Sequence, residues 1–345
     1  MKSPDVENLL ETLGQPGKLQ SISFFFLCIN LCIVMTNHMA SVFFAAKTEY
    51  SCKIDRNTSS HVLPLTSSHG DGRTDNCYIM VNNSREKCTA WNYNLPDGET
   101  TIISEFDLVC DDAYKSDLST TIYFAGVMLG GVVFGFLADK YGRKRVVILA
   151  LLCSGIVSVA TFVFRTSFTA YIILRFFLGF LMQGIQNSSF ILALETLSMK
   201  YRTTGGLIFV ISGGIGVLFL DVLVYVVKDW KYVQLATGVL PFLQALAIWF
   251  IPESLRWNIV QKNFNEAEII IKRTIKLNKL TFPQKLFDEI KNDAFEEKCE
   301  QVKRKGNVLD VFKSPKLRKI TFVLFLAWFT FSTTYYGLAF HISHL

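Results

Sequence analysis

The chain has 345 residues, half of them hydrophobic, with 30 Phe and a formal net charge of +6. A soluble protein of this length spreads its apolar residues through half-polar, periodic elements. Here they gather in long blocks almost free of charge, which excludes an ordinary soluble fold and makes lipid the expected partner. The positive balance fits basic loops held on the cytoplasmic side of a membrane, and no nucleic-acid partner is expected.

Residues 1–20 are polar and precede the first apolar block, 21–46, in which His38 is the only ionisable residue. A bilayer core of about 30 Å is crossed by roughly 20 helical residues, so this block suffices. It is longer than a signal peptide's apolar region of about 7–15 residues, and its best small-residue cleavage site, Ala45-Ala46, is weak. A retained helix is expected. Residues 47–117 are rich in Ser, Thr, Asn and Asp and contain Cys52, Cys77, Cys88 and Cys110, with glycosylation sequons at Asn57 and Asn82. Four cysteines in an oxidising compartment predict two disulfides, with three connectivities open. A third sequon, at Asn187, falls inside an apolar block, where no sugar is expected; Cys28, Cys32 and Cys153 read as packing residues.

Five more apolar blocks follow at 118–138, 146–164, 167–194, 203–227 and 232–251, and a last one at 320–341. Each can satisfy its backbone in hydrocarbon as a helix, and none alternates with the period of a membrane barrel. The fold class is all-α integral membrane. Lys140, Arg143, Lys144 and Arg145 follow the second block, and Lys200 and Arg202 the fourth. The third is followed only by Arg165, and the fifth by Lys228 and Lys231 around Asp229. Basic loops stay inside, so the N-terminus and residues 252–318 are expected to be cytoplasmic, and 47–117 extracellular. Within 252–318, Phe264, Ala267, Ile270, Ile271 and Thr274 share one helical face, and Glu266, Glu268, Lys272 and Lys276 lie opposite. A short amphipathic helix under the bundle is predicted.

The clearest motif is Gly135-x-x-x-Asp139-Lys140-x-Gly142-Arg143-Lys144. Asp139 ends a helix, where the dipole disfavours an anion, so it needs a cation or another helix's N-terminus as partner. Gly142 allows the tight turn that brings Arg143 round. This pattern resembles the loop between helices 2 and 3 of the major facilitator superfamily. Further stretches narrow the resemblance: Ile102 to Cys110 (IISEFDLVC), Pro252-Glu253-Ser254-Leu255-Arg256-Trp257, Glu195 followed seven residues later by Arg202, Asp5 to Gln20, and Asp229-Trp230. Together they resemble solute carrier family 22, the organic cation, carnitine and organic anion transporters, with Leu255 standing where the family has a second proline.

The resemblance implies a twelve-helix fold of two six-helix halves built from 3+3 inverted repeats, with substrate at the midplane. This chain then holds the N-terminal half plus helix 7. It implies a plasma-membrane transporter of small organic ions working by alternating access, without cofactor, metal or covalent chemistry, and able to form a homo-oligomer through its external loop. Gly135, Asp139, Gly142, Arg143, Glu195 and Arg202 would form the conformational switch. The alternative is a shortened form that does not transport alone or needs a second chain. A seven-helix receptor is disfavoured by the cytoplasmic N-terminus and the lack of Asn-Pro-x-x-Tyr in the last block. An enzyme is disfavoured because His-Glu-x-x-His, Gly-x-Ser-x-Gly and Gly-x-x-x-x-Gly-Lys-Ser/Thr are all absent.

Polar residues inside the apolar blocks are the candidate substrate contacts. Arg175 lies too deep to snorkel and reads first as half of a structural ion pair. Asp221 either attracts a cation or pairs with Arg175. Gln183, Gln186, Asn187 and Ser188 either bond substrate or hold helices together, and Asn30, Asn37 and His38 divide the same way. Trp328 and Tyr335 lie seven residues apart with Tyr336 adjacent, an aromatic face that spacing alone assigns to an interfacial belt or helix packing and that is also suited to an organic cation. The first two match cavity-lining positions of the family's cation transporters, which tips the reading slightly toward cations. Gly126, Gly130, Gly131 and Gly135, and Gly205, Gly206, Gly213, Gly214 and Gly216, read as close helix contacts.

Overall fold

The computed structural model describes residues 3–14, 17–46, 48–53, 62–64, 77–81, 84–96, 99–164, 166–280, 282–291 and 313–342. Both sequons, Asn57 and Asn82, lie outside these residues, as does Arg165. Among the described residues, seven helices are long and apolar enough to cross a membrane. They are α2 (Lys18–Phe44), α4 (Tyr114–Tyr141), α5 (Arg143–Val163), α6 (Phe168–Thr196), α7 (Met199–Val227), α8 (Trp230–Trp249) and α12 (Pro315–Ile342). The helices α4, α7 and α12 begin at Tyr114, Met199 and Pro315, before the apolar blocks at 118, 203 and 320. Their first turns carry polar residues, so composition marks only the greasy part of each rod.

Close approach of α4 and α6 organises the bundle. A side chain at Gly126 or Gly130 would run into the backbone carbonyls of Phe176 and Phe180, and one at Gly179 into the carbonyl of Tyr123. Only glycine lets the two backbones touch there. Gly216 of α7 likewise lies against the backbone of Cys32 in α2. Three of the glycines expected to pack do not: Gly135, Gly206 and Gly214 face open space. Leu27, Leu31, Tyr123, Leu151, Leu178 and Met182 fill the core between these helices.

The segment between α2 and α4 departs from the all-helical expectation. The strands β1 (Glu49–Cys52) and β5 (Trp91–Asn94) pair antiparallel, and β2 (Val62–Pro64), β3 (Tyr78–Val81) and β4 (Ser84–Lys87) form a second small sheet. Cystines Cys52–Cys88 and Cys77–Cys110 pick one of the three connectivities. The loop is seated on the bundle by α3 (Ile102–Phe106), whose first turn is closed by reciprocal Thr101 and Ser104 hydrogen bonds. Ile102, Ile103 and Leu108 bury against Phe44, Tyr171 and Trp230. The Thr100 hydroxyl donates to Asp229 at 2.7 Å, and Lys231 pairs with Glu105 at 2.6 Å. The motif stretches at 102–110 and 229–230 are thus two halves of one joint.

The opposite end carries a helical cap made of α1 (Ser3–Thr12), α9 (Leu255–Val260), α10 (Phe264–Asn278) and α11 (residues 284–291). Leu9, Leu10 and Leu13 meet Leu255, Ile259, Phe264, Ala267, Ile271, Phe287 and Ile290. The predicted amphipathic face of α10 is therefore spent inside the cap. In contrast, α12 stands apart, with most of its large side chains exposed.

Non-reducing peptide mapping should recover Cys52 joined to Cys88 and Cys77 joined to Cys110. Replacing either pair by Ser should destabilise the loop by about 2–4 kcal/mol, read as faster proteolysis between residues 47 and 100.

Candidate functional site

The polar residues of α2 recur on one face, so Asn30, Asn37, His38 and Ser41 are all buried, and Asn30, His38 and Ser41 meet α4 or α6. Arg175 of α6, 1% exposed, donates to the Ser41 hydroxyl. Its guanidinium lies 4.8 Å from the ring centre of Tyr123 and 5.8 Å from those of Phe44 and Tyr171. Ring quadrupoles attract a cation most strongly when both are desolvated. Among the described residues no carboxylate pairs with Arg175, and its Nε and Nη1 have no hydrogen-bond partner. The ion pair expected from the sequence is therefore absent. Asp221 is exposed on α7, because Leu220 faces inward and the next residue is turned about 100° away. A buried cation without a counter-ion is costly unless something supplies negative charge.

His38 links the cluster. Its Nδ1 lies 2.8 Å from the Tyr123 hydroxyl and its Nε2 3.3 Å from Gln186 Oε1. The amide oxygen only accepts, so Nε2 carries the proton donated to Gln186. Asn30 donates to the Ser189 hydroxyl at 2.8 Å, tying α2 to α6. Gln183 donates to Asn187 at 2.8 Å, and both lie along Gly131 of α4. Buried acceptors Asn30 Oδ1 and Asn37 Oδ1 and the hydroxyl Ser188 Oγ are left unpartnered beside them.

The aromatic face of α12 divides. Trp328 and Tyr335 do share a face, with Phe331 stacked on Tyr335 at 5.9 Å, but they are exposed, and Tyr335 meets the cluster's edge only through Tyr336 at 5.2 Å. Tyr336 alone reaches it, through Phe124 at 4.9 Å, and Phe124 in turn lies against Tyr123 and His38. The helices thus bring together Arg175, Gln186 and Tyr336, leave Asp221 and Trp328 outside, and bury Asn37 next to His38 with its amide bonded back to the Ile33 carbonyl. Reading the sequence missed Ser41, Tyr123 and Phe124; the signal for Ser41 was the inward face it shares with Asn37 and His38.

The second constellation lies at the capped end. A single residue, Gly142, separates α4 from α5, at φ +104°, in the region that favours glycine. The turn carries Arg143 back to Asp139 at 3.0 Å and on to Glu195 at 3.3 Å, so Asp139 has the cation it needs. The carboxylate of Glu253 caps α5: both its oxygens accept from the Lys144 amide, at 3.0 and 3.1 Å, and one also accepts from Ser254 N. Trp257 Nε1 donates to the Asp139 carbonyl at 3.0 Å. Glu195 and Arg202 do not meet. Arg202 pairs at 2.8 Å with Glu7 of α1, which also pairs with Arg256. Burial pushes the Arg256 guanidinium below its ordinary pKa. Gly135 takes no part in the network. Glu7 and Glu253 went unassigned because each finds its partner far along the chain.

The sugar (and other) transporter family profile matches residues 35–343. Organic cation/carnitine transporter 2 of Rattus norvegicus is 30% identical over 97% of this chain and 65% of its own length. Solute carrier family 22 member 6-A of Xenopus laevis is 29% identical over 96% of this chain and 64% of its own. Organic anion transporter 3 of Oryctolagus cuniculus is 29% identical over 96% and 63% respectively. These relatives are membrane transporters, not enzymes. The chain spans just under two thirds of their length.

Gly142→Ala should strain the turn and push a methyl group against Glu253, and Glu253→Gln should weaken the cap on α5; each should cost about 1–2 kcal/mol. Because both act on one joint, the double variant should lose less than the sum, measured by thermal unfolding of the purified chain.

Proposed function

Because the chain belongs to the sugar (and other) transporter family, within the major facilitator superfamily, we propose that it carries small organic ions across the plasma membrane by alternating access. The observation that carries this reading is Arg175, a buried guanidinium with no acidic partner and two unused donors among the described residues. Such a group is stabilised when a substrate brings an acceptor to it. Neighbouring Asn37, His38, Gln186 and Tyr336 supply further polar and aromatic contacts. Substrates carrying a cationic head with a carboxylate, of the carnitine type, fit this set better than simple organic anions. The rings of Tyr336 and Phe124, which reach the cluster, suit the cationic head. We assign Asp139, Gly142, Arg143, Glu195 and Arg202 to the switch between the two access states. Gly135 belongs to the same motif.

We infer that the capped end faces the cytoplasm and the disulfide-bonded loop the outside. Cystines persist in an oxidising compartment, while Lys140, Arg143, Lys144, Arg145, Lys200 and Arg202 gather at the other end. Asn57 and Asn82 would then be glycosylated, and the external loop is the surface for any self-association.

Cells expressing the chain should take up labelled carnitine, tetraethylammonium or benzoate saturably, with carnitine the most strongly favoured. Arg175→Lys, which keeps the charge but loses the planar fork, should cut carnitine uptake on the order of tenfold at equal surface expression. No saturable uptake of any of the three, or full uptake by Arg175→Met, would sink the proposal. A tag at the N-terminus should stain only after permeabilisation; staining of intact cells would reverse the assigned orientation.

A further inference from the structure

The first amide of α7 is capped by a side chain from outside its own helix. Ser198 stands at the N-cap position but makes no side-chain cap bond. Instead the Met199 amide donates to Glu7 Oε2 at 3.2 Å, from a residue 192 positions earlier. The other oxygen, Oε1, takes Arg202 at 2.8 Å and also pairs with Arg256. Arg202 reaches back through Nε to the Leu194 carbonyl in the last turn of α6, at 3.3 Å. Glu7 is 7% exposed.

A helix N-terminus flanked by two guanidiniums is an anion site, and this chain fills it with its own carboxylate. Packing holds the carboxylate there. Leu9, Leu10 and Leu13, on the turns after Glu7, are buried against α9, α10 and α11. Asn278 at the end of α10 clamps the turn behind them, donating to the Leu13 carbonyl at 3.0 Å and accepting from Lys18 N at 3.1 Å. Glu7 thereby joins two further elements: Arg202 belongs to α7 and Arg256 to α9.

We propose that α1 is an intramolecular ligand of the capped end, and that Glu7 is a positioning residue whose carboxylate sets Arg202, Arg256 and the start of α7 as one unit. Docking of α1 and placement of the two arginines are then a single event. This holds whether or not the chain transports, so its test uses no uptake.

Hydrogen exchange on the full chain in nanodiscs, resolved to single amides, provides that test. In the wild-type chain the amides of residues 7–12 and of Met199 should open together, with matching protection. Glu7→Ala raises the helix propensity of α1, so any loosening comes from lost docking. It should speed exchange at Met199 and along α1 on the order of tenfold or more, and leave α4 and α5 unchanged. Glu7→Gln keeps an acceptor for the Met199 amide but not the ion pairs, and should fall between. The proposal is overturned if α1 exchanges in the wild type like a free peptide while Met199 stays protected. It is overturned equally if Met199 keeps its protection in Glu7→Ala, or if all seven membrane-length helices loosen alike, which would make Glu7 a general stabiliser. The wild-type measurement decides even if a variant does not fold.

Discussion

A peptide group in hydrocarbon has no water to bond, so each crossing segment must close its hydrogen bonds within itself, and the side chains it brings along must find partners on neighbouring helices. Much of the bundle follows from this. Asn30 meets Ser189, Gln183 meets Asn187, and His38 spends both nitrogens on Tyr123 and Gln186. Where α4 and α6 cross, glycines remove side chains altogether and let the backbones touch. Arg175 is the exception. It is solvated by three aromatic faces and one hydroxyl rather than by a carboxylate, and that imbalance is why the centre of the bundle reads as a binding region.

The two ends of the bundle are fastened by different chemistry. At the loop end, covalent cystines and short strands hold a segment too polar and too poor in core residues to pack by itself. At the other end the fastening is electrostatic and relies on helix termini. Helices α6 and α8, which start at the loop end, cap themselves through Ser167 and Asp229. For α5 and α7, borrowed carboxylates do the work, Glu253 from the turn after α8 and Glu7 from α1. Each borrowed cap ties an element outside the hydrocarbon to the start of a membrane-length helix, which is how the cap and the bundle become one object.

The seven long helices were legible because nearly charge-free blocks of about 20 residues leave a chain few alternatives. The amphipathic face of α10 was legible for the same reason of period. What failed was azimuth. Depth along an apolar helix can be read from residue number, but the face a residue presents turns by about 100° per position, which separates buried Leu220 from exposed Asp221 and dissolves the expected pair with Arg175. Gly135, Gly206 and Gly214 failed likewise, since a glycine spacing does not say which stripe meets a neighbour. The β1–β5 pair and the pairing of the loop's cysteines were illegible because they depend on contacts between residues tens of positions apart. At the centre, Asn37, Gln186 and Arg175 could be named from polarity in an apolar run, whereas Tyr123 hid among ordinary aromatics.

The turn at Gly142 has a mechanical meaning. Two rods of 28 and 21 residues are hinged through one residue, so there is no slack chain between them to absorb a change in tilt. A reorientation of α4 has to pass into α5 through two torsion angles, and the Lys144–Glu253 bond hands it on to the segment leading into α9. The two rods are therefore tied at one corner, and that corner is bonded to the segment that leads into the cap.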